Sequence, residues 1–140
     1  MIKLPKTKTF TPTPKTKPPK KELNKKIIND YPWPPKELSP NARLHWAKKD
    51  EFRADFRKYC YLITDFNLNL ERGVNYPVKV MFFPPNKKKR DLDNCLASCK
   101  SLLDGMCSRM GIDDVNLRPI TIDWGDVEKD GRVRVEIEHE

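Results

Sequence analysis

Asp91 and Asp93 stand as D-x-D in the stretch KKKRDLDN, directly after the four cations Lys87, Lys88, Lys89 and Arg90. With Leu92 between them turned into a core, both carboxylates can face outward together. Further along, GIDDV adds Asp113 and Asp114. Hard divalent cations take oxygen ligands, and Mg²⁺ usually needs only a few carboxylates beside water and substrate phosphate. Three or four carboxylates next to a Lys/Arg loop therefore suit phosphodiester hydrolysis. A metal there polarises the phosphate and activates water, while the cations hold the nucleic-acid backbone. The same residues have a plainer reading. A D-x-D at a helix start caps the helix and complements its dipole, and an Asp-Asp pair after a helix is an ordinary polar loop.

These carboxylates need a scaffold, and 140 residues suffice for one domain with one modest core. Residues 1–26 hold nine lysines against one acid, Glu22, so nine minus one accounts for the whole net charge of +8. That segment also holds five prolines and few apolar side chains. It is expected to be a disordered basic tail of the kind that binds phosphate through counterion release, with residues 27–140 as the folded domain. No apolar run approaches membrane-spanning length, and the basic N-terminus lacks the apolar stretch of a secretory signal. Cys60, Cys95, Cys99 and Cys107 are accordingly expected as reduced, apolar packing residues in the cytoplasm.

The pattern predicts an α/β (α+β) fold in the order β-α-β-α-β-β, a small mixed sheet with two main helices packed on it. Residues 27–33 read as a strand, ended by a proline-rich turn. Residues 42–66 read as a helix with Phe52, Phe56, Tyr59, Cys60 and Ile63 on its apolar stripe. Residues 78–83 read as a buried strand stopped by Pro84 and Pro85. A second, continuous helix runs from a cap at Asp91 or Asp93 to about Met110, with Gly111 as its stop. Its stripe is Leu92, Leu96, Cys99, Leu103, Met106 and Met110. Residues 118–124 and 131–139 read as two strands of a hairpin, the second with Val133, Val135 and Ile137 on a buried face. Trp33, Trp46 and Trp124 are expected in the core.

The combination of KKKRDLDN, a helix, GIDDV and two terminal strands resembles the RusA family of Holliday junction resolvases. YPWPPKELSPNARLHW resembles that family's opening strand and proline-rich turn, particularly in phage-encoded members. The resemblance covers roughly residues 28–138. It implies a homodimer that nicks four-way DNA junctions with Mg²⁺ or Mn²⁺, leaving a 5′-phosphate. It also puts the three catalytic, metal-binding carboxylates at Asp91, Asp93 and Asp114. One position departs from the pattern. The family often carries a catalytic lysine four residues after the second helix-start Asp, and Ala97 stands there. Lys100, about one helical turn on, is the candidate to replace it. Lys87, Lys88, Lys89 and Arg90, with Asn41 and Arg43 from the proline-rich turn, are the candidate DNA contacts.

A continuous helix would hold Asp93 and Asp114 near its opposite ends, roughly 28 Å apart at about 1.5 Å per residue. Either the chain folds back beyond Gly111, or two subunits each contribute to one site. The alternative function is a non-catalytic protein that binds branched DNA, its acids serving only to cap and solubilise. No Gly-rich phosphate loop, Ser-His pair or second Cys/His pair for zinc is present.

Overall fold

The computed structural model describes residues 25–65 and 70–139. Four strands form one mixed sheet: β1 (Lys25–Tyr31), β2 (Tyr76–Phe83), β3 (Leu117–Trp124) and β4 (Arg132–His139), in the spatial order β1-β4-β2-β3. Three helices accompany them, α1 (Trp46–Ile63), α2 (Leu92–Ser98) and α3 (Lys100–Met110), with short 3-10 turns at Lys36–Leu38 and Asp114–Asn116. The α/β class and the element order match the sequence reading. β1 begins two residues earlier than expected, so Lys25 and Lys26 belong to the sheet rather than to the tail. The reading of the tail as disordered otherwise lies outside the described residues.

β1 and β2 both run antiparallel to β4, while β2 and β3 are parallel. This corrects the expected terminal hairpin. Asp130 and Gly131 do turn the chain, with φ of 67° and 73°, but β4 passes β3 and inserts between β1 and β2. The reason lies in backbone donors and side-chain rows. Pro119 has no N–H to give a second neighbour, which suits β3 to an edge. β4 alternates apolar and charged side chains, and its apolar row (Val133, Val135 and Ile137) is fully buried.

One face of the sheet carries Tyr31, Val80, Phe82, Val133, Val135 and Ile137 into a core shared with Phe56, Cys60, Cys99, Leu102 and Met106. The other face carries charge: Asp30 on β1 accepts from Arg134 Nε and Arg132 Nη1, each at 2.8 Å, and Arg132 also reaches Glu128. The four cysteines are free and buried, as expected of packing residues. Burial pushes the Cys60 and Cys107 thiols up to about 12, which keeps them protonated and unreactive at neutral pH.

α1 starts at Trp46 rather than 42, because His45 takes the N-cap and accepts from the Ala47 N–H at 3.2 Å. Its buried side is also rotated from the predicted stripe. Phe56 and Cys60 are buried as expected, but Tyr59 is 51% and Ile63 38% exposed. Gly105 on α3 sets that rotation. A Cβ there would lie 2.4 Å from the Arg57 carbonyl oxygen, so the helices meet backbone to backbone along Arg57 and Tyr61. Trp46 is 70% exposed, contrary to the expectation of a core residue, whereas Trp33 and Trp124 pack against the core as expected.

The expected single helix is broken. Cys99, with φ −96° and ψ 8°, separates α2 from α3, and its N–H closes back onto Leu96 at 2.9 Å. Cys99 is wholly buried, so the break lets one seam, from Leu92 to Met110, stay against the core while the helix axis changes course. Gly111 stops α3 in the left-handed conformation, as predicted.

Two predictions follow from this packing. In an open helix, Gly→Ala gains up to about 1 kcal/mol of propensity. At Gly105 the clash with Arg57 reverses the sign, and Gly105→Ala should lower the urea-unfolding free energy by about 1–3 kcal/mol. The Arg134 hydrogen bond, joined by Arg132 and opposed by burial, holds the Asp30 carboxyl below its ordinary value. A depressed carboxylate stabilises the fold above its unfolded pKa of about 3.9 and loses that contribution as pH falls through the folded value. Asp30 is 41% exposed, so screening limits the effect. Asp30→Asn should cost under about 1 kcal/mol at pH 7. The gap from wild type in urea midpoint should narrow as pH falls below the unfolded value of about 3.9 and on through the lower folded value.

Candidate functional site

β2 ends at Phe83 because Pro84 and Pro85 cannot continue the ladder. The chain then forms the loop that carries the cations. Its shape is fixed by Arg90. Nη1 donates to the carbonyls of Asn86 at 3.2 Å and Lys88 at 3.0 Å, and Nη2 donates to Asn86 Oδ1 at 2.9 Å. The guanidinium also lies 5.4 Å from the Trp33 ring centroid. Trp33 is itself braced edge-on against Phe82 at 6.1 Å. Arg90 is thus a clamp that ties the loop to the end of β1. Lys87, Lys88 and Lys89 are exposed and form no ion pair among the described residues.

The clamp closes one end of a cleft of about 570 Å³. One wall is Trp33, Pro34, Pro35, Lys36, Ser39 and Asn41, and the other is Lys88, Lys89, Arg90, Asp91, Asn94, Cys95 and Ser98. Asn41 and the basic loop, fifty residues apart in sequence to the nearest ten, share one surface. Lys49 Nζ donates to the Ser39 carbonyl at 3.1 Å and fixes the proline-rich wall to α1. Of the other expected contacts, Arg43 is exposed but does not line the cleft, and neither does Lys87.

Asp91 occupies the N-cap position of α2 yet accepts no capping hydrogen bond. Its Oδ2 takes only a long 3.5 Å contact from Asn94 Nδ2. Asp93 Oδ1 accepts from the Asn94 N–H at 2.9 Å. Both carboxylates are exposed, and neither is in an ion pair among the described residues. The capping explanation of the D-x-D therefore does not consume Asp91. At GIDDV the division of labour is similar. Asp113 caps the 3-10 turn by accepting from the Val115 N–H at 3.3 Å, which leaves Asp114 for another partner.

That partner is Lys100. Beyond Gly111 the chain does fold back along α3, and Lys100 Nζ donates to Asp114 Oδ2 and to Asp104 Oδ1, the latter at 3.1 Å. The hydrogen bond to Asp114, then that to Asp104, raises the Lys100 pKa, and Lys100 in turn holds the Asp114 carboxyl below its usual range. Asp104 went unnoticed in the sequence, although its i+4 spacing from Lys100 was a visible signal.

The fold-back does not complete the expected triad. Asp91 follows the C-terminal end of β2, whereas Asp114 precedes the N-terminal end of β3, and the two strands are parallel. Among the described residues, no three His, Cys, Asp or Glu side chains stand together as a metal site. The structure joins Asn41, Lys88, Lys89, Arg90 and Asp91 in one place and Lys100 with Asp114 in another.

No family model matches the sequence. An uncharacterized protein of Xylella fastidiosa (strain Temecula1) is 36% identical over 89 residues, covering 59% of this chain and 57% of that protein. The chain thus spans a little over half the length of that relative. No helix among the described residues is long and apolar enough to cross a membrane.

The clamp yields a prediction. Arg90→Lys keeps the charge but loses the planar fork and its stacking on Trp33. The loop should loosen, and trypsin should cut at Lys87, Lys88 and Lys89 several-fold faster under native conditions, with the urea midpoint little changed. Wild-type cleavage rates in the variant would show that Arg90 does not shape the loop.

Proposed function

We propose that this protein is a RusA-type endodeoxyribonuclease that nicks four-way DNA junctions, acting as a homodimer in the cytoplasm with Mg²⁺ or Mn²⁺. The observation that carries the reading is the cleft. Cations from the 87–90 loop, Asn41 from the proline-rich turn and the uncapped carboxylate of Asp91 face one space of about 570 Å³. That combination suits a phosphodiester held beside a hydrolytic centre.

The donor set fits a hard cation. Asp91 and Asp93 offer exposed carboxylate oxygen with no competing side-chain cation among the described residues. Mg²⁺ is commonly bound by one or two carboxylates, with water and phosphate completing its shell. Asp91 and Asp93, joined by Asp114, would hold the ion, which supplies Lewis acidity and an acidified water. The chain's own side chains do the rest. Lys88 and Lys89 bind backbone phosphate, and Arg90 fixes their loop. Lys100, poised on Asp114, stabilises negative charge as it develops on the phosphate and thereby replaces the lysine absent at Ala97.

Among the described residues Asp91, Asp93 and Asp114 do not stand together as a three-ligand group, and on this reading a complete site draws on two chains. Asp91 and Asp93 of one protomer meet Asp114 and Lys100 of its partner across a two-fold axis. A two-fold enzyme with paired sites matches a substrate in which two strands are cut symmetrically.

The primary test incubates the full chain with a synthetic four-way junction and a matched linear duplex, with Mg²⁺ or with EDTA. Junction nicking that needs the metal supports the reading, and a mobility shift without product under both conditions makes the protein a binder only. The shared site has its own test. Asp91→Asn and Asp114→Asn homodimers should each lose at least about 100-fold in cleavage rate, as expected when a charge that stabilises the transition state is removed, while still binding junctions. Subunit mixtures of the two variants should regain nicking, because a mixed dimer holds one intact site. Inactive mixtures would place all three carboxylates in a single chain.

A further inference from the structure

We propose that Trp46, held with His45 at the start of α1, is a stacking platform for an unpaired nucleobase. On this view it is the element that distinguishes branched from linear DNA. The inference rests on the DNA-processing reading above and goes beyond it, because phosphate contacts cannot supply that distinction. The backbone of a duplex offers the same phosphates as a junction, whereas base faces are open only where pairing is broken.

Trp46 is 70% exposed, more than any other large apolar side chain among the described residues. Tryptophan carries one of the largest apolar surfaces of any side chain, and leaving it in water is unfavourable. Here the exposure is built in. The Ala47 N–H donates to His45 Nδ1 at 3.2 Å, which fixes the imidazole as the N-cap of α1. The imidazole in turn lies 5.5 Å from the Trp46 ring, tilted by 31°. The indole is thereby supported from one side and left open on the other. A flexible surface tryptophan would have no such brace.

The surroundings select a nucleic acid rather than an apolar protein surface. Arg43 is exposed nearby. The acids of the first turns are already matched, Asp50 by Arg53 at 2.6 Å and Glu51 by Lys48 at 3.8 Å. Continuity with the cleft adds to this. Ser39 and Asn41 line it, the chain runs from them straight into His45 and Trp46, and Lys49 ties this helix start back to the Ser39 carbonyl. A strand whose phosphate enters the cleft would carry its next bases past the indole. In duplex those bases are stacked on each other, and at a branch point one of them can stack on Trp46.

The test measures affinity by fluorescence anisotropy, without divalent metal, for a four-way junction, an oligothymidine and a matched duplex. Trp46→Ala should weaken binding to the junction and the oligothymidine by about 10-fold, in line with typical base-stacking losses. Duplex binding should change less than about twofold, and the salt slope should stay the same because no phosphate contact is lost. Trp46→Phe, which keeps an aromatic face, should recover most of the affinity. In wild type, acrylamide should quench indole emission in the free protein, and the junction should shield it. Equal losses on all three DNAs, no loss on any, or an indole already shielded without DNA by the chain's own N-terminal segment or a second copy would each overturn the proposal. A wild-type protein with no preference for the junction over duplex would remove the nuclease reading itself. Wild-type selectivity that survives in Trp46→Ala removes only this inference.

Discussion

β2 and β3 run side by side in the same direction, and a parallel pair cannot be closed by a tight turn. The chain must cross from the end of β2 to the start of β3 over the face of the sheet, and α2 and α3 are that crossing. Everything chemically notable in the body hangs on it. The cation loop is its exit from β2, the D-x-D its first helical turn, and GIDDV its landing before β3. The crossing is held down by Gly105, which lets α3 approach the backbone of α1 at Arg57, and by the buried seam of Cys99, Leu102 and Met106. Among the described residues the carboxylates that frame the crossing form no three-ligand group.

The break at Cys99 has a consequence for charge. A straight helix would carry Lys100 along the rim of one continuous apolar face. Restarting the helix there frees Lys100 to lie along α3, where Asp104 and Asp114 share its ammonium. Ala97, at the position where the lysine of the resembled family stands, sits on α2 before the break and is exposed. Lysine and carboxylate are thus kept as a unit on the far side of the break.

Much of the fold was legible because its signals are local. The alternation of Val133, Val135 and Ile137, the stop at Pro84 and Pro85 and the left-handed Gly111 each act within a few residues, and each was placed correctly. Most of the failures share a cause: they depend on a partner distant in sequence. The hairpin reading of the last two strands was locally sound, yet strand order is decided by which edges remain open, and Pro119 makes β3 a poor central strand. The α1 stripe was misphased because Gly105, more than forty residues later, decides which side of α1 can come close. Asn41 was read as a DNA contact on resemblance, and its place beside the basic loop depends on the Trp33–Arg90 contact, which no spacing rule gives. Trp46 was assigned to the core from residue type alone, and its exposure follows from the His45 cap.

The distribution of charge separates what the body does from what the tail can add. From Lys25 on, the chain carries a net charge of only +2, 21 basic against 19 acidic residues, and several of its cations are spent internally: Arg132 and Arg134 on Asp30, Arg53 on Asp50, Lys26 on Glu136, Lys100 on Asp104 and Asp114. The lysines of the 87–89 run are unpaired among the described residues and set beside an uncapped aspartate. On the proposed reading, a nearly neutral body with a cation cluster beside that aspartate would favour a single orientation of a phosphate backbone over general adhesion to DNA. The seven lysines of residues 1–24, against Glu22 alone, carry a net +6 and suit long-range, sequence-independent attraction to a polyanion. On the proposed nuclease reading, capture and alignment would fall to different parts of the chain, the tail raising encounter rate and the 87–90 loop setting the geometry.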